Sequence, residues 1–252
     1  MKYGYRVILL MLTWAVSTSF GYASSLPDTV ERVTPSVVAI GLYSPLDSPA
    51  PNVLGTGFVI GDGRTVVTNY HVVEKVLDPT IVQYYTVLSG EGRQVMQYKA
   101  KVDKVDPKHD LALLTINETL PAMTLADKNY ERPGSAIAFT GFPIGAINGL
   151  YHATHTGVLA AVTPDAIPTR DSSQLSLKML ERLEAPDLIY QLDAIAYPGN
   201  SGSPVYLPDT GEVIGVISKV LVRDTKESAL SSPTGITYAV PVKELLALIN
   251  RK

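Results

Sequence analysis

The chain contains no cysteine. That absence removes thiol nucleophiles, disulfide frameworks and cysteine-based metal sites together. Tryptophan occurs once, as Trp14, and phenylalanine four times, against 14 tyrosines, a balance that leans toward strands. Charged residues make up only 18% of the chain and sum to a net charge of -3, so the basic footprint of a nucleic-acid binder is missing. A long hydrophobic run is missing too. The most apolar stretch, Val7 to Val16, covers about ten residues where a spanning helix needs roughly 20. Glycine (19) and proline (18) occur at ordinary levels in the 252 residues. Such a length and composition describe an ordered chain able to bury a sizeable core as one large or two small domains.

The first 23 residues read as an address. Lys2 and Arg6 form a basic start, the apolar run follows, and Gly21 and Ala23 put small residues where a signal peptidase reads. Cleavage after Ala23 is expected, giving an exported protein, periplasmic or secreted, with no stable membrane insertion once the segment is gone. Its removal takes away the only tryptophan and leaves 19 basic against 24 acidic residues, a net of -5. Without cysteine, such a protein depends on its core alone for stability.

From Ser24 onward, short apolar runs alternate with turn residues. Strands are expected at Ser36–Leu42, Gly57–Ile60, Thr65–Thr68, Ile81–Leu88, Gln94–Val105 and Leu111–Ile116. After a polar, linker-like stretch from Asn117 to Pro133, a second set is expected at Ser135–Thr140, Tyr151–Val162, Leu188–Ala194, Pro204–Leu207, Val213–Val222 and Ile236–Val240. Gly61-Asp62-Gly63 and Asp209-Thr210-Gly211 are hairpin signals, because such residues accept positive φ. Strands spaced this way in two halves, about 36–120 and 134–240, fit two small barrels better than a parallel α/β sheet. A C-terminal helix is expected from Pro241 to Ile249, with Leu245, Leu246 and Ile249 on one face. Leu175, Met179, Leu180 and Leu183 have helical spacing inside a polar insertion, Pro164 to Pro186. That insertion reads as a surface loop carrying a short packed helix, with a lid beside a site as the alternative.

Three segments carry chemistry together: Thr68-Asn69-Tyr70-His71-Val72-Val73, His109-Asp110-Leu111-Ala112-Leu113-Leu114 and Gly199-Asn200-Ser201-Gly202-Ser203-Pro204. They set His, Asp and Ser in that order, each at a strand edge. A serine hydroxyl is a weak nucleophile until a base takes its proton, and histidine suits that task at neutral pH. The histidine in turn needs a carboxylate to fix its tautomer. Glycines around the serine let the chain turn sharply and aim N–H groups at a developing oxyanion. Any one of these pieces alone is an ordinary turn. Ser203 stands where the α/β-hydrolase elbow has Gly. His109 is set aside as the base, because adjacent strand residues face opposite ways. His152 and His155 lack a third ligand nearby in sequence and the Glu of HExxH, so no metal and no cofactor is expected.

These residues resemble the trypsin-like serine proteases of the HtrA/Deg type. Six blocks match in order: LPDTVERVTPSVVAI (Leu26 to Ile40), GTGFVI with TNYHV (Gly55 to Ile60 and Thr68 to Val72), DLALL (Asp110 to Leu114), GFPIG (Gly141 to Gly145), the serine block from Pro198 to Pro204, and GITYAVP (Gly235 to Pro241). The resemblance implies two six-stranded antiparallel β-barrels with short helices and a C-terminal helix at 241–250. It implies Ser201 as nucleophile, His71 as general base and then acid, Asp110 as orienting carboxylate, and the N–H groups of Gly199 and Ser201 as the oxyanion hole. The expected substrates are polypeptides, cut through an acyl-enzyme. By counterpart positions, Ile195, Val216, Ile217 and Ser218 line the primary pocket, and an apolar lining prefers small or medium aliphatic P1 residues. Two departures stand out. No PDZ domain is expected after the barrels, and Ser203 replaces the Gly of HtrA proteins. GNSGSPV (Gly199 to Val205) is closer to glutamyl endopeptidases, but Gly215 to Lys219 lacks the histidine those enzymes use for acidic P1 residues. HtrA relatives often form trimers; the arm before Val37 is short, and a homo-oligomer is left open. The competing function is a latent, chaperone-like protein silenced by a flipped peptide between Gly199 and Asn200.

Overall fold

A computed structural model describes residues 25–46, 51–92, 94–127, 130–143, 149–165, 186–220 and 235–251. The N-terminal address and most of the 164–186 insertion lie outside the described residues. All twelve expected strands are present. β1 (Val37–Tyr43), β2 (Asn52–Ile60), β3 (Thr65–Thr68), β4 (Tyr84–Glu91), β5 (Gln94–Asp106) and β6 (Leu111–Thr115) close into one barrel in the order β1-β2-β3-β6-β5-β4. The second barrel closes as β10-β11-β12-β9-β8-β7, from β7 (Ala136–Gly141), β8 (Ala153–Pro164), β9 (Leu188–Asp193), β10 (Pro204–Tyr206), β11 (Val213–Val220) and β12 (Ile236–Pro241). Every paired neighbour is antiparallel. The β2–β3 turn puts Gly61 and Gly63 at φ 62° and 83°, conformations that glycine adopts without a Cβ penalty.

The period of two explains why several strands are apolar throughout. In β1, Val38, Ile40 and Leu42 point into the first barrel with Val59, Val66, Val87, Ala112 and Leu114. Their neighbours Val37 and Ala39 face the other way and join Phe58, Ile60, Val67, Leu111 and Leu113 in a core continuous with that of the second barrel. One face of each strand therefore fills its own barrel and the other docks the barrels together. The two strand ends that carry His71 and Asp110 are fixed by this seam.

The polar stretch from Asn117 to Pro133 is not a free linker. Met123 and Ala126 are buried in it; the Met123 N–H donates to the Val59 carbonyl (2.9 Å), and Thr124 and Ala126 exchange hydrogen bonds with Val213 at 2.9 Å. Two apolar side chains in a polar segment are enough to strap it to β2 and β11. The first helix, α1, spans Leu26–Val33 and the last, α2, spans Val242–Asn250, entered through Pro241 at its N-cap. Val242, Leu245 and Leu248 form the buried face of α2, while Leu246 and Ile249 sit at its margin. The buried face is thus one step round the helix from the expected one. Lys104 of β5 donates to the Ile249 carbonyl (2.9 Å), satisfying a C-terminal acceptor and placing a cation at the negative end of the helix.

Leu245 is fully buried, so Leu245→Ala is expected to destabilise the fold by about 2–5 kcal/mol in chemical denaturation. A loss well below that range would mean that α2 is peripheral to the core.

Candidate active site

β3 ends in a single turn of 3-10 helix, Tyr70–Val72, which presents His71. Asp110 closes the turn between β5 and β6, where the Asp106 carboxylate accepts from the Lys108 N–H (3.2 Å). Asp110 has φ 56° and is the one non-glycine residue with positive φ among the described residues. Asp tolerates that region better than most residues, but it is uncommon, and here several bonds hold it. The Asp110 carbonyl accepts from the Tyr70 N–H (3.2 Å) and from the buried Asn69 Nδ2 (2.9 Å). Its carboxylate accepts from the His71 N–H (3.0 Å) and faces His71 Nδ1 at 2.8 Å. Ser218 Oγ, on β11 of the other barrel, donates to Asp110 Oδ2 at 2.7 Å.

Burial alone pushes the Asp110 carboxyl up. Hydrogen bonds from the His71 ring and main chain, and from Ser218, outweigh it and hold the group below its ordinary value. A carboxylate opposite Nδ1 selects the tautomer protonated there, which leaves Nε2 as the basic nitrogen. The His71 side chain is 42% exposed and Asp110 only 16%, so a partly buried acid stands behind an accessible base.

The serine loop is a compact turn. The Asn200 N–H donates to the Tyr197 carbonyl, the Ser203 N–H to the Asn200 carbonyl, both at 3.0 Å, and the Gly202 N–H to Ile217 O at 2.9 Å. Gly199 and Gly202 sit at φ 100° and 86°. The loop is clamped to β2: the Thr56 N–H donates to the Ser201 carbonyl (2.8 Å) and Thr56 Oγ1 to the Gly199 carbonyl (2.7 Å). A Cβ on Gly202 would lie 2.1 Å from the Thr56 carbonyl oxygen, and one on Gly55 would lie 3.0 Å from the Ser201 carbonyl and 2.9 Å from Val72 Cγ2. Glycine at 55 and 202 is what lets the serine loop reach the segment carrying His71. Among the described residues, the N–H groups of Gly199 and Ser201 have no protein acceptor.

Beneath the loop, Asn200 is fully buried with Nδ2 3.4 Å from His155 Nε2. His155 stacks on Phe139 (4.9 Å between ring centroids) and leans on Tyr197 (5.8 Å). Burial pushes this imidazole down, which favours the neutral ring and its lone pair. Ser203, the departure from the HtrA pattern, turns its Oγ toward Gly141, where an added Cβ would come within 2.1 Å of it.

The trypsin-like peptidase domain family matches residues 55–216, most of the chain and both clamped segments. The chain belongs to the trypsin-like peptidase family. It is 31% identical over 231 residues to serine protease HTRA3 of Rattus norvegicus, covering 89% of this chain and 44% of that protein. It is 30% identical over 190 residues to a probable periplasmic serine endoprotease, DegP-like, of Halomonas elongata, covering 75% of this chain and 33% of the relative. The chain therefore spans less than half the length of these relatives. Among solved structures, the HtrA-type protease AlgW with a decapeptide has the same fold, with a TM-score of 0.64 at 23% identity over 88% of this chain and 66% of that one.

In this peptidase domain the residues expected to line the primary pocket have divergent places. Ile195 is exposed at 40%, while Val216 and Ile217 are buried in the core shared by the two barrels. Ser218 is engaged by Asp110. From Val213 to Ser218 β11 is buried on both faces, so its apolar side chains are all in packed surroundings. His109 does face away from His71, yet strand alternation is not the reason, because Asp110 lies in a left-handed turn. His109 Nδ1 instead meets Asp106 Oδ2 at 2.8 Å and its Nε2 faces Asp187 Oδ2 at 3.3 Å. His152 meets the Glu91 carboxylate (2.6 Å) and the Val37 carbonyl (2.9 Å), tying the β4–β5 hairpin to the second barrel. Among the described residues no cluster of three or more His, Asp or Glu could hold a metal. Sequence reasoning missed the roles of Thr56 and Asn69 and the bond from Ser218; Thr56 and Ser218 are small polar residues within apolar strands, Asn69 follows the end of β3, and only burial marks each.

Because the Asp110 pKa is lower folded than unfolded, the carboxylate stabilises the fold above about pH 4 and that contribution is lost as pH falls through the folded value. Asp110→Asn, which tolerates the same φ, is expected to lower stability at pH 7 and to flatten the decline between about pH 5 and pH 2. Denaturant melts across that range check it; an unchanged slope would remove Asp110 from the acid response.

Proposed function

We propose that this chain is an exported serine endopeptidase that hydrolyses peptide bonds in unfolded or exposed polypeptide segments. The reading rests chiefly on one arrangement. His71 is held from the Nδ1 side by a partly buried carboxylate that the second barrel also grips through Ser218, and the same two barrels clamp the Ser201 loop against β2.

In this reading Ser201 Oγ attacks the substrate carbonyl as His71 Nε2 takes its proton. Asp110 stabilises the imidazolium without itself being protonated. The negative charge that forms on the carbonyl oxygen is met by the N–H groups of Gly199 and Ser201. His71 then returns its proton to the leaving amine, the acyl-enzyme forms, and water activated by the same histidine releases the acid. No cofactor enters these steps. The free N–H groups of Gly199 and Ser201, and the left-handed Gly199, favour this active arrangement over the latent, chaperone-like one.

Export follows from the basic, apolar and small-residue segment 1–23, with a peptidase domain from Ser24 onward, and is supported by the DegP-like relative described as periplasmic. Among the described residues no helix is long and apolar enough to cross a membrane. For specificity, exposed Ile195 is the apolar side chain left to meet a P1 group, which keeps small or medium aliphatic residues as the expected preference.

The protein starting at Ser24, incubated with an unfolded substrate protein, is expected to cut it, while Ser201→Ala retains only weak residual catalysis. Fragments sequenced by mass spectrometry give the P1 residues. Equal cutting by the variant would refute Ser201 as nucleophile, and cuts dominated by Arg, Lys or Glu would refute the aliphatic preference.

A further inference from the structure

Thr56 lies on β2 of the first barrel, is fully buried, and touches the site only through the serine loop of the second barrel. Its hydroxyl is used twice. Oγ1 donates to the Gly199 carbonyl at 2.7 Å and accepts from the Phe142 N–H at 3.0 Å. Because the Phe142 N–H can only donate, the single hydroxyl proton of Thr56 is directed at Gly199. Its main chain is committed as well: the N–H donates to the Ser201 carbonyl, and the carbonyl accepts from Thr68 Oγ1 at 2.7 Å.

The consequence falls on the Gly199–Asn200 peptide. Its carbonyl is held by Thr56 Oγ1, and its N–H donates to Tyr197 O at 3.0 Å. Both polar ends of that peptide are therefore anchored, one by each barrel. Gly199 has φ 100°, and a glycine can leave such a conformation freely. What stops the peptide rotating is the pair of hydrogen bonds, and the one on its carbonyl comes from the fully buried Thr56.

We propose that Thr56 is a positioning residue: its hydroxyl locks the Gly199–Asn200 peptide and thereby the two flanking peptides, Pro198–Gly199 and Asn200–Ser201, whose N–H groups at Gly199 and Ser201 face the substrate oxyanion. This rests on the reading of Ser201 as nucleophile. A valine at 56 keeps the shape and removes the hydroxyl, leaving the Gly199 carbonyl without its buried donor and the peptide free to turn. The charge develops on the oxyanion in the transition state, so the loss falls on turnover rather than on substrate affinity. Phe142 relays nothing to the substrate; its N–H fixes the direction of the hydroxyl.

The test is steady-state kinetics on a peptide substrate taken from a mapped cleavage site, for wild type, Thr56→Val, Thr56→Ser and Thr56→Cys, with Ser201→Ala alongside. Removing one oxyanion donor outright costs about 100- to 1000-fold in kcat. For Thr56→Val, which loosens rather than deletes the donors, a fall of about 10- to 100-fold in kcat with KM within about threefold is expected. Thr56→Ser keeps the hydroxyl and is expected to stay within about threefold of wild type. If Thr56→Val does not fold, Thr56→Cys, with only a weak thiol donor, replaces it against Thr56→Ser. Turnover retained in the variant lacking the hydroxyl, a loss confined to KM, or a serine variant as impaired as valine would each overturn the lock. Wild-type turnover that survives Ser201→Ala would bring down the nucleophile assignment and the lock with it, a result distinguishable from the others.

Discussion

The clamp between β2 and the serine loop is the constraint on which the rest of the molecule depends. Two donors of one residue, the N–H and the hydroxyl of Thr56, hold two carbonyls of the loop two residues apart, at Ser201 and Gly199. Neither barrel can shift against the other without breaking both bonds, and because Thr56 is fully buried its donors would be left without a partner, at a cost of about 1–3 kcal/mol for each buried polar group. The close approach requires that glycines stand at 55 and 202. The same sequence feature therefore fixes barrel docking and the geometry of the candidate site.

Around that clamp, the two halves exchange support. The first barrel supplies His71 and Asp110, yet one of the bonds to the Asp110 carboxylate comes from Ser218 in the second. The second barrel supplies Ser201, yet its loop is held from the first. His152 repeats the pattern at the far side, joining Glu91 and Val37 of the first barrel to the entry of β8. Residues facing outward from one barrel, such as Val37, Phe58 and Leu113, are interior residues of the pair. This double use of each strand is what the apolar composition of β1, β3 and β6 records.

Much of this was legible in the amino-acid order. The strands, the hairpin glycines and the three segments holding His71, Asp110 and Ser201 are local signals: alternation, turn chemistry and spacing. What could not be read was the outcome of competition for burial. Val216 and Ile217 were expected beside substrate, but a strand cannot tell from its own sequence which neighbours will close over it, and the core shared by the two barrels took them. The segment from Asn117 to Pro133 looked like a tether because polar residues dominate it; two buried side chains and a few backbone bonds made it part of both barrels. The roles of Thr56 and of the Ser218 bond to Asp110 were hidden for a related reason. A threonine or serine in an apolar strand is unremarkable until a partner from the other half of the chain arrives.

The positive φ at Asp110 has a further implication. The strain is accepted because Asn69, the Tyr70 N–H, His71 and Ser218 all converge on that residue, and the last of these is more than a hundred positions away in sequence. A nascent chain that has released only its first half lacks that final contact and the serine loop altogether. The candidate site is thus assembled only when synthesis has passed β11 and the two halves have met.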